Sequence, residues 1–128
     1  LLDTDVVIEC LRRNREVLGE IEALFNEGSI LGFSPVVRAE VYHGLRNEEE
    51  EPVSEFFSNL VCLPVTDEIG ETAGVYLRQY HKSHGLELGN ALIAATAKVN
   101  GVRLFTLNRR HYPMPDITVH EPARRRKP

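Results

Sequence analysis

The residues of this chain that carry chemistry are mostly acids and amides, and the first of them stand at its start. Leu1-Leu2-Asp3-Thr4-Asp5-Val6-Val7-Ile8 runs two apolar residues into a carboxylate, a hydroxyl and a second carboxylate, then turns apolar again. This reads as the end of a buried strand, a turn and the first turn of a helix. Open parallel sheets hold their ligands at the carboxyl ends of strands, which is where Asp3 falls. Two acids beside an apolar strand end do not both ionise cheaply without a cation, so the chemical reading is a metal ion or a basic partner. The structural alternative is that Thr4 or Asp5 caps the helix while Asp3 solvates the strand end. Three further residues join the set. Glu40 lies among Val36, Val37, Ala39, Val41 and Leu45, so its carboxylate is expected to be partly buried or aimed into a cleft. Asn90 is the first polar residue of a dense Ala/Leu/Ile helix, and Asn108 ends an apolar strand at Thr106-Leu107-Asn108.

The elements that must position these residues alternate. Helices are expected over 5–11, 15–27, 35–43 and 67–83, with another from Asn90 to about Asn100. Apolar residues at helical spacing mark them, as in Val17, Leu18, Ile21, Leu24 and Phe25. Ser34-Pro35 is a helix start with a hydroxyl cap and Pro at the first position, and Thr66-Asp67 is another. The acidic run over 47–51 reads as a solvated loop leading into a helix that packs Phe56, Phe57 and Leu60 on the core. Short strands are expected at the start and over 30–33, 61–65, 102–105 and 117–119. Such alternation argues an α/β sandwich around a mainly parallel sheet of four to five strands flanked by helices. In that architecture strand ends and helix N-termini share one edge, so Asp3, Asn90 and Asn108 can converge there, and Glu40 can reach them if its helix crosses that edge.

The bulk numbers bound the alternatives. The length of 128 residues suits one domain, assigned here to 1–121, with a basic tail over 122–128 expected to be disordered. The net charge is −4; Arg124, Arg125, Arg126 and Lys127 contribute +4, which leaves −8 on the rest. An acidic body of this kind acts on nucleic acid only if metal ions turn its cleft into a phosphate site. No apolar run is long enough for a membrane span, and no secretory signal is visible, so the expected location is the cytoplasm. The sequence begins at Leu1 rather than Met, and native residues ahead of it would lengthen the first strand. Cys10 and Cys62 are isolated and read as reduced, mostly buried thiols rather than a zinc site or disulfide. His81 and His84 close a helix and read as cations at its C-terminus rather than metal ligands. The apolar faces near Leu18 to Phe25 and near Phe56 to Leu60 either close the core or leave one face for a partner.

Four stretches now carry a resemblance. They are the opening one; Ser34-Pro35-Val36-Val37-Arg38-Ala39-Glu40-Val41-Tyr42-His43-Gly44-Leu45; Asn90-Ala91-Leu92-Ile93-Ala94-Ala95-Thr96-Ala97; and Leu104-Phe105-Thr106-Leu107-Asn108-Arg109-Arg110-His111-Tyr112. In order and spacing they resemble the signature blocks of PIN domains, and most of all the VapC-type toxins of toxin–antitoxin pairs. The resemblance implies a three-layer α/β sandwich and a Mg2+- or Mn2+-dependent endoribonuclease. It implies a homodimer restrained by a cognate antitoxin that threads a segment across the active-site groove. The family's acids fall on Asp3, Glu40, Asn90 and Asn108, with Asp3, Glu40 and Asn90 toward the metal.

Asn108 is common at its position in the family. Asn90 departs from the family's Asp, which lowers the formal charge of the four-residue site to −2 and predicts weaker metal binding. A natural asparagine and an engineered inactivation would look alike here. Asp5 compensates only if its side chain turns toward the site. Thr4 and Thr106 are expected to hydrogen-bond the ligands, and Arg109, Arg110 and the basic tail to hold RNA phosphates. Two competitors remain. A haloacid-dehalogenase-type phosphohydrolase shares the Asp-x-Asp, but after Thr106 it finds only Lys127 and the isolated Asp116 and Glu121 for its later motifs. A catalytically silent PIN domain, binding RNA or an antitoxin, differs from the nuclease only at Asn90.

Overall fold

The structure, a computed structural model, describes residues 1–122. The basic residues 124–127 and the disorder expected of them lie outside the described residues. Local chemistry sets the helix starts. Helix α1 (Thr4–Leu11) is capped by Asp3, whose extended backbone (φ −76°, ψ 162°) lets its Oδ1 accept from Thr4 N–H at 2.8 Å. The cap is therefore the acid itself, not Thr4 or Asp5. Asn14 caps α2 (Arg15–Asn26) by accepting from the N–H groups of Glu16 and Val17. Ser34 and Pro35 start α3 (Pro35–His43) as expected, with Ser34 Oγ accepting from Val36 N–H. A 3-10 turn (Asn47–Glu49) leads into α4 (Glu50–Ser58). Thr66 caps α5 (Asp67–His84), and Gly85 closes it at φ 64°, in the left-handed region that favours glycine. His81 Nδ1 lies 2.9 Å from the Leu86 carbonyl at that end, a capping contact. Helix α6 (Leu88–Asn100) begins two residues before Asn90, with Glu87 as the cap residue.

The sheet is parallel, and its strands are shorter than expected. Among the described residues, continuous ladders form only between β1 (Gly32–Phe33) and β2 (Val61–Cys62). Elsewhere single parallel bridges join Leu2 to Phe105 and Leu104 to Val119. Backbone bonds knit these segments side by side, with Leu2 N–H on the Gly32 carbonyl, Asp3 N–H on that of Phe105 and His120 N–H on that of Leu104. The spatial order is 119, 104–105, 1–3, 31–33 and 61–63, and the first residues of the chain lie in the middle. The brevity has a local cause: Asp3 and Ser34 cap helices immediately after their strands, and Pro64 has no N–H to extend β2. As the edge, β2 leaves Cys62 exposed, contrary to the expectation for that thiol, whereas Cys10 is buried.

The core gathers around α6. Ala91, Ile93, Ala94, Ala95 and Ala97 are at most 1% exposed, and their small side chains let α5 pack closely along this helix. Phe57 stacks edge-on against Phe33 with centroids 4.8 Å apart. Val17, Ile21 and Leu24 close the core from α2, while Phe25 stays exposed. His120, buried on Phe105, reaches Glu20 of α2 at 2.8 Å and ties the last strand segment to that helix. No described helix is long and apolar enough to cross a membrane.

Candidate active site

The carboxyl edge of the sheet holds the acids. Asp3 ends its strand segment and is 5% exposed. One of its oxygens caps α1, and the other accepts from Thr106 Oγ1 at 2.8 Å. Thr106 ends the neighbouring segment, so the bridge between Leu2 and Phe105 sets this pair in register. Asp5 also turns inward. Its Oδ2 accepts from Leu107 N–H at 3.1 Å and lies 3.5 Å from Thr106 Oγ1, and its Oδ1 is buried without a hydrogen-bond partner. The condition for compensation by Asp5 is met.

Of the two expectations for Glu40, the partly buried one fails. It is exposed rather than partly buried, because it sits on the side of α3 that faces α1 and the start of α6. Thr4 Oγ1 donates to its Oε1, and its Oε2 lies only 3.1 Å from where a Cβ on Gly89 would stand. Glycine at 89 thus lets α6 come close to this carboxylate. Asn90, one residue on, accepts from the Tyr112 hydroxyl at 3.4 Å. Asn108 is linked through its backbone: its N–H donates to Thr106 Oγ1 at 3.1 Å, while its side chain pairs with His111 at 3.2 Å. Asp3, Glu40 and Asn90 therefore draw together around Thr4 and Tyr112, and the Asn108 side chain turns to its own 3-10 turn (Arg109–His111). Arg109 and Arg110 are exposed in that turn.

Tyr112 joins this cluster, and sequence reasoning gave it no role. It is 5% exposed and stands near the Asp3 carboxylate. Burial first, then the charge of Asp3, with Asp5 and Glu40 adding to it, holds the phenol pKa far above its ordinary value. The hydroxyl is therefore a permanent donor at neutral pH. The available signal was a tyrosine inside an apolar terminal block, since a buried phenol needs a polar partner.

The donor set can be tested against a hard divalent cation. Among the described residues, no three His, Cys, Asp or Glu side chains form a ready cation cage. Mg2+ does not require one, because it is commonly held by one or two carboxylates and retains several waters. Asp3 and Asp5 provide such a pair, and the unpartnered Asp5 Oδ1 is a buried acceptor with nothing to accept. Burial, then the Asp3 charge, raises the Asp5 pKa to about 6, against the pull of the Leu107 N–H. The residues fit a hard cation.

Two consequences are measurable. The folded-state pKa of Asp5 exceeds its unfolded value of 3.8. Its favourable contribution is thus complete below pH 3.8 and is lost as pH rises through about 6. Without metal, Asp5→Asn should be more stable than the parent above that range by about 1–2 kcal/mol, allowing for solvent screening, and the gap should close near pH 4. Urea unfolding across pH checks this, and a gap independent of pH would refute it. Thr106→Val removes a donor from Asp3 and the acceptor of the Asn108 N–H. It should cost about 1–3 kcal/mol in the same assay, and a loss within about 0.5 kcal/mol would mean the hydroxyl bonds carry no net weight.

Behind Thr106 and Leu107 a cavity of about 420 Å3 opens between α2 and residues 105–109. Val17, Gly19, Ala23 and Phe105 give it an apolar floor.

Fold and site together define a parallel α/β protein with an oxygen-donor acidic centre at the carboxyl edge of its sheet. The chain belongs to the PIN domain family, whose model matches residues 1–116. It is similar to Ribonuclease VapC19 of Mycobacterium tuberculosis, 37% identical over 119 residues that cover 91% of this chain and 95% of the relative. Two solved structures share the fold. VapBC2 from Rickettsia felis bound to a DNA fragment from their promoter is 20% identical, with a TM-score of 0.77 over 93% of this chain and 95% of that one. A toxin–antitoxin complex from Klebsiella pneumoniae is 21% identical, with a TM-score of 0.74 over 92% and 94%.

Proposed function

We propose that this chain is the endoribonuclease toxin of a toxin–antitoxin pair, hydrolysing RNA phosphodiester bonds with Mg2+ or Mn2+. The observation that carries the reading is the pairing of Asp3 with Asp5 at the sheet edge, one oxygen of Asp5 buried and unpartnered. The likeness to a relative named as a ribonuclease supports it. Asp3, Glu40 and Asn90 would hold the ion, with Asp5 restoring the charge that Asn90 lacks. When bound, the ion acidifies water and stabilises charge developing on the phosphate.

The chain's own groups do the rest. Thr106 fixes one oxygen of Asp3, and the α1 amide fixes the other. Glu40, exposed and held by Thr4, serves in one of two ways, as a ligand of the ion or by orienting the attacking water. Asn108 keeps Thr106 in place through its backbone. Arg109 and Arg110 stand at the rim to hold substrate phosphates, with the tail residues 124–127 adding attraction.

A cognate antitoxin is the expected protein partner. The shared fold with a toxin–antitoxin complex and the cavity between α2 and Thr106-Leu107 support it. A homodimer in the cytoplasm completes the reading. The second reading, a catalytically silent binding module, is favoured by the amide at position 90 alone.

The test is incubation with a panel of structured RNAs in Mg2+, in Mn2+ or in EDTA. Internal cuts that require metal are expected. If no RNA is cut with either metal while RNA or antitoxin still binds, the silent module replaces the nuclease.

A further inference from the structure

We propose that the cavity behind Thr106 and Leu107 is a nucleobase subsite, taking a base of the RNA next to the scissile phosphate, with Leu107 at its lip. The inference rests on the nuclease reading and concerns the chain free of antitoxin.

Leu107 belongs to both places. Its N–H donates to Asp5 Oδ2 at 3.1 Å, so its backbone is part of the acid centre. Its side chain is 47% exposed and lines the cavity. Thr106, just before it, lines the cavity too and holds Asp3 through its hydroxyl. The acids and the cavity therefore share one wall, two residues long. A nucleotide can straddle such a wall, because its phosphate and its base are joined through a single sugar.

The lining decides what enters. The volume of about 420 Å3 falls within the roughly 300–1,000 Å3 of small-molecule sites. Val17, Ala23 and Phe105 offer an apolar surface to the flat face of a base. Gly19 leaves the mouth open, since a Cβ there would meet no described atom within 4 Å. Among the described lining residues two arginines, Arg15 and Arg109, are set against three glutamates, Glu16, Glu20 and Glu121. The cavity thus has no surplus of positive charge to draw a phosphate inside. The neutral base enters, its anionic backbone stays outside, and the arginine planes are suited to stacking on it. A plain hydrocarbon is a poorer occupant, because the wall is not wholly apolar. His120 is part of it, with Nε2 2.8 Å from Glu20 Oε1 and Nδ1 buried without a hydrogen-bond partner among the described residues. With Nε2 donating to the carboxylate, Nδ1 of the neutral ring is an acceptor, and the N–H edge of a base brings a donor that a hydrocarbon lacks.

Two measurements on the full chain test the proposal. In EDTA, GMP, AMP, CMP and UMP are titrated while the Leu107 methyls and the Gly19 amide are followed by NMR. Saturable shifts are expected with nucleotides and none with ribose 5-phosphate, which keeps the sugar and the phosphate but has no base. Gly19→Leu should fill the mouth and leave the fold intact, because the position has room and leucine favours a helix over glycine. It should weaken nucleotide binding about tenfold or more. Leu107→Ala, at a half-exposed position, should weaken it by a smaller factor. In RNA cleavage Gly19→Leu should raise KM about tenfold and flatten the parent's nucleotide preference beside the cut. Its Mn2+ affinity, read by electron paramagnetic resonance without RNA, should stay at the parent's value, which separates a lost base contact from a damaged acid centre.

Nucleotides that shift these signals no more than ribose 5-phosphate does, or an unchanged nucleotide affinity in either folded variant, would overturn the subsite. Absence of RNA cleavage in the parent would instead overturn the nuclease reading, and the titration would still decide whether the cavity takes a base.

Discussion

Asp3→Asn is expected to lower metal-dependent RNA cleavage on the order of a thousandfold while leaving the protein folded. The substitution separates the two duties of Asp3. As a helix cap, asparagine is as good as aspartate, because its Oδ1 can take the Thr4 N–H in the same way. Its amide nitrogen then faces Thr106, whose hydroxyl can accept as well as donate. What disappears is the negative charge at the centre of the site. Thermal unfolding should change little, while Mn2+ binding and cleavage should collapse together. If cleavage survived with Mn2+ affinity intact, Asp3 would be a structural cap and the acid site would lie elsewhere.

Asn90→Asp should act in the opposite direction, raising cleavage and Mn2+ affinity by about tenfold or more. Two effects compete. A further carboxylate is repelled by Asp3 and Asp5. Gain of a carboxylate adds about 4 kcal/mol per unit of cation charge at 4 Å and an effective dielectric of 20. With a divalent cation present the charge wins by a wide margin. Without metal the balance reverses, because a further acid then stands near Asp3 and the already strained ionisation of Asp5. The variant should therefore unfold at a lower urea concentration than the parent in EDTA, and at a similar or higher one in Mn2+. Equal cleavage by the two chains would show that Asp3, Asp5 and Glu40 suffice.

The helix starts were legible because each is written in a few adjacent residues. Ser34 with Pro35, Thr66, and the glycines at 85 and 101 act within one turn of chain. The family blocks likewise placed the acids on the correct elements. What could not be read depends on partners far along the chain. Strand lengths were overestimated because a run such as 61–65 looks extended whether one or several of its residues find a neighbour. The start of α6 was misplaced because Leu88 and Gly89 look like loop, and the reason for Gly89 is the carboxylate of Glu40, 49 positions earlier. Of the two places open to Glu40, partly buried or aimed into a cleft, its apolar sequence neighbours could not choose, because Val37 and Val41 turn to the core while Glu40 faces Thr4 and Gly89. The exposed Cys62 follows from β2 lying at the sheet edge, which no local pattern encodes. Tyr112 escaped notice because the amide it meets, Asn90, lies 22 positions earlier.

The position of the first strand segment has a consequence for the protein's birth on the ribosome. Asp3 is synthesised before the hydroxyl that fixes it, which belongs to a residue 103 positions later. At roughly 5–20 residues per second, the interval between them is about 5–20 seconds. During that time a nascent chain can form its helices, each from local signals, without the bond that fixes Asp3. Residues 1–3 can pair with the segment at 31–33 early, but their other flank stays open until the segment at 104–106 emerges. Asp3 and the hydroxyl that fixes it are thus made at separate times, and a chain halted between them lacks the Thr106 contact.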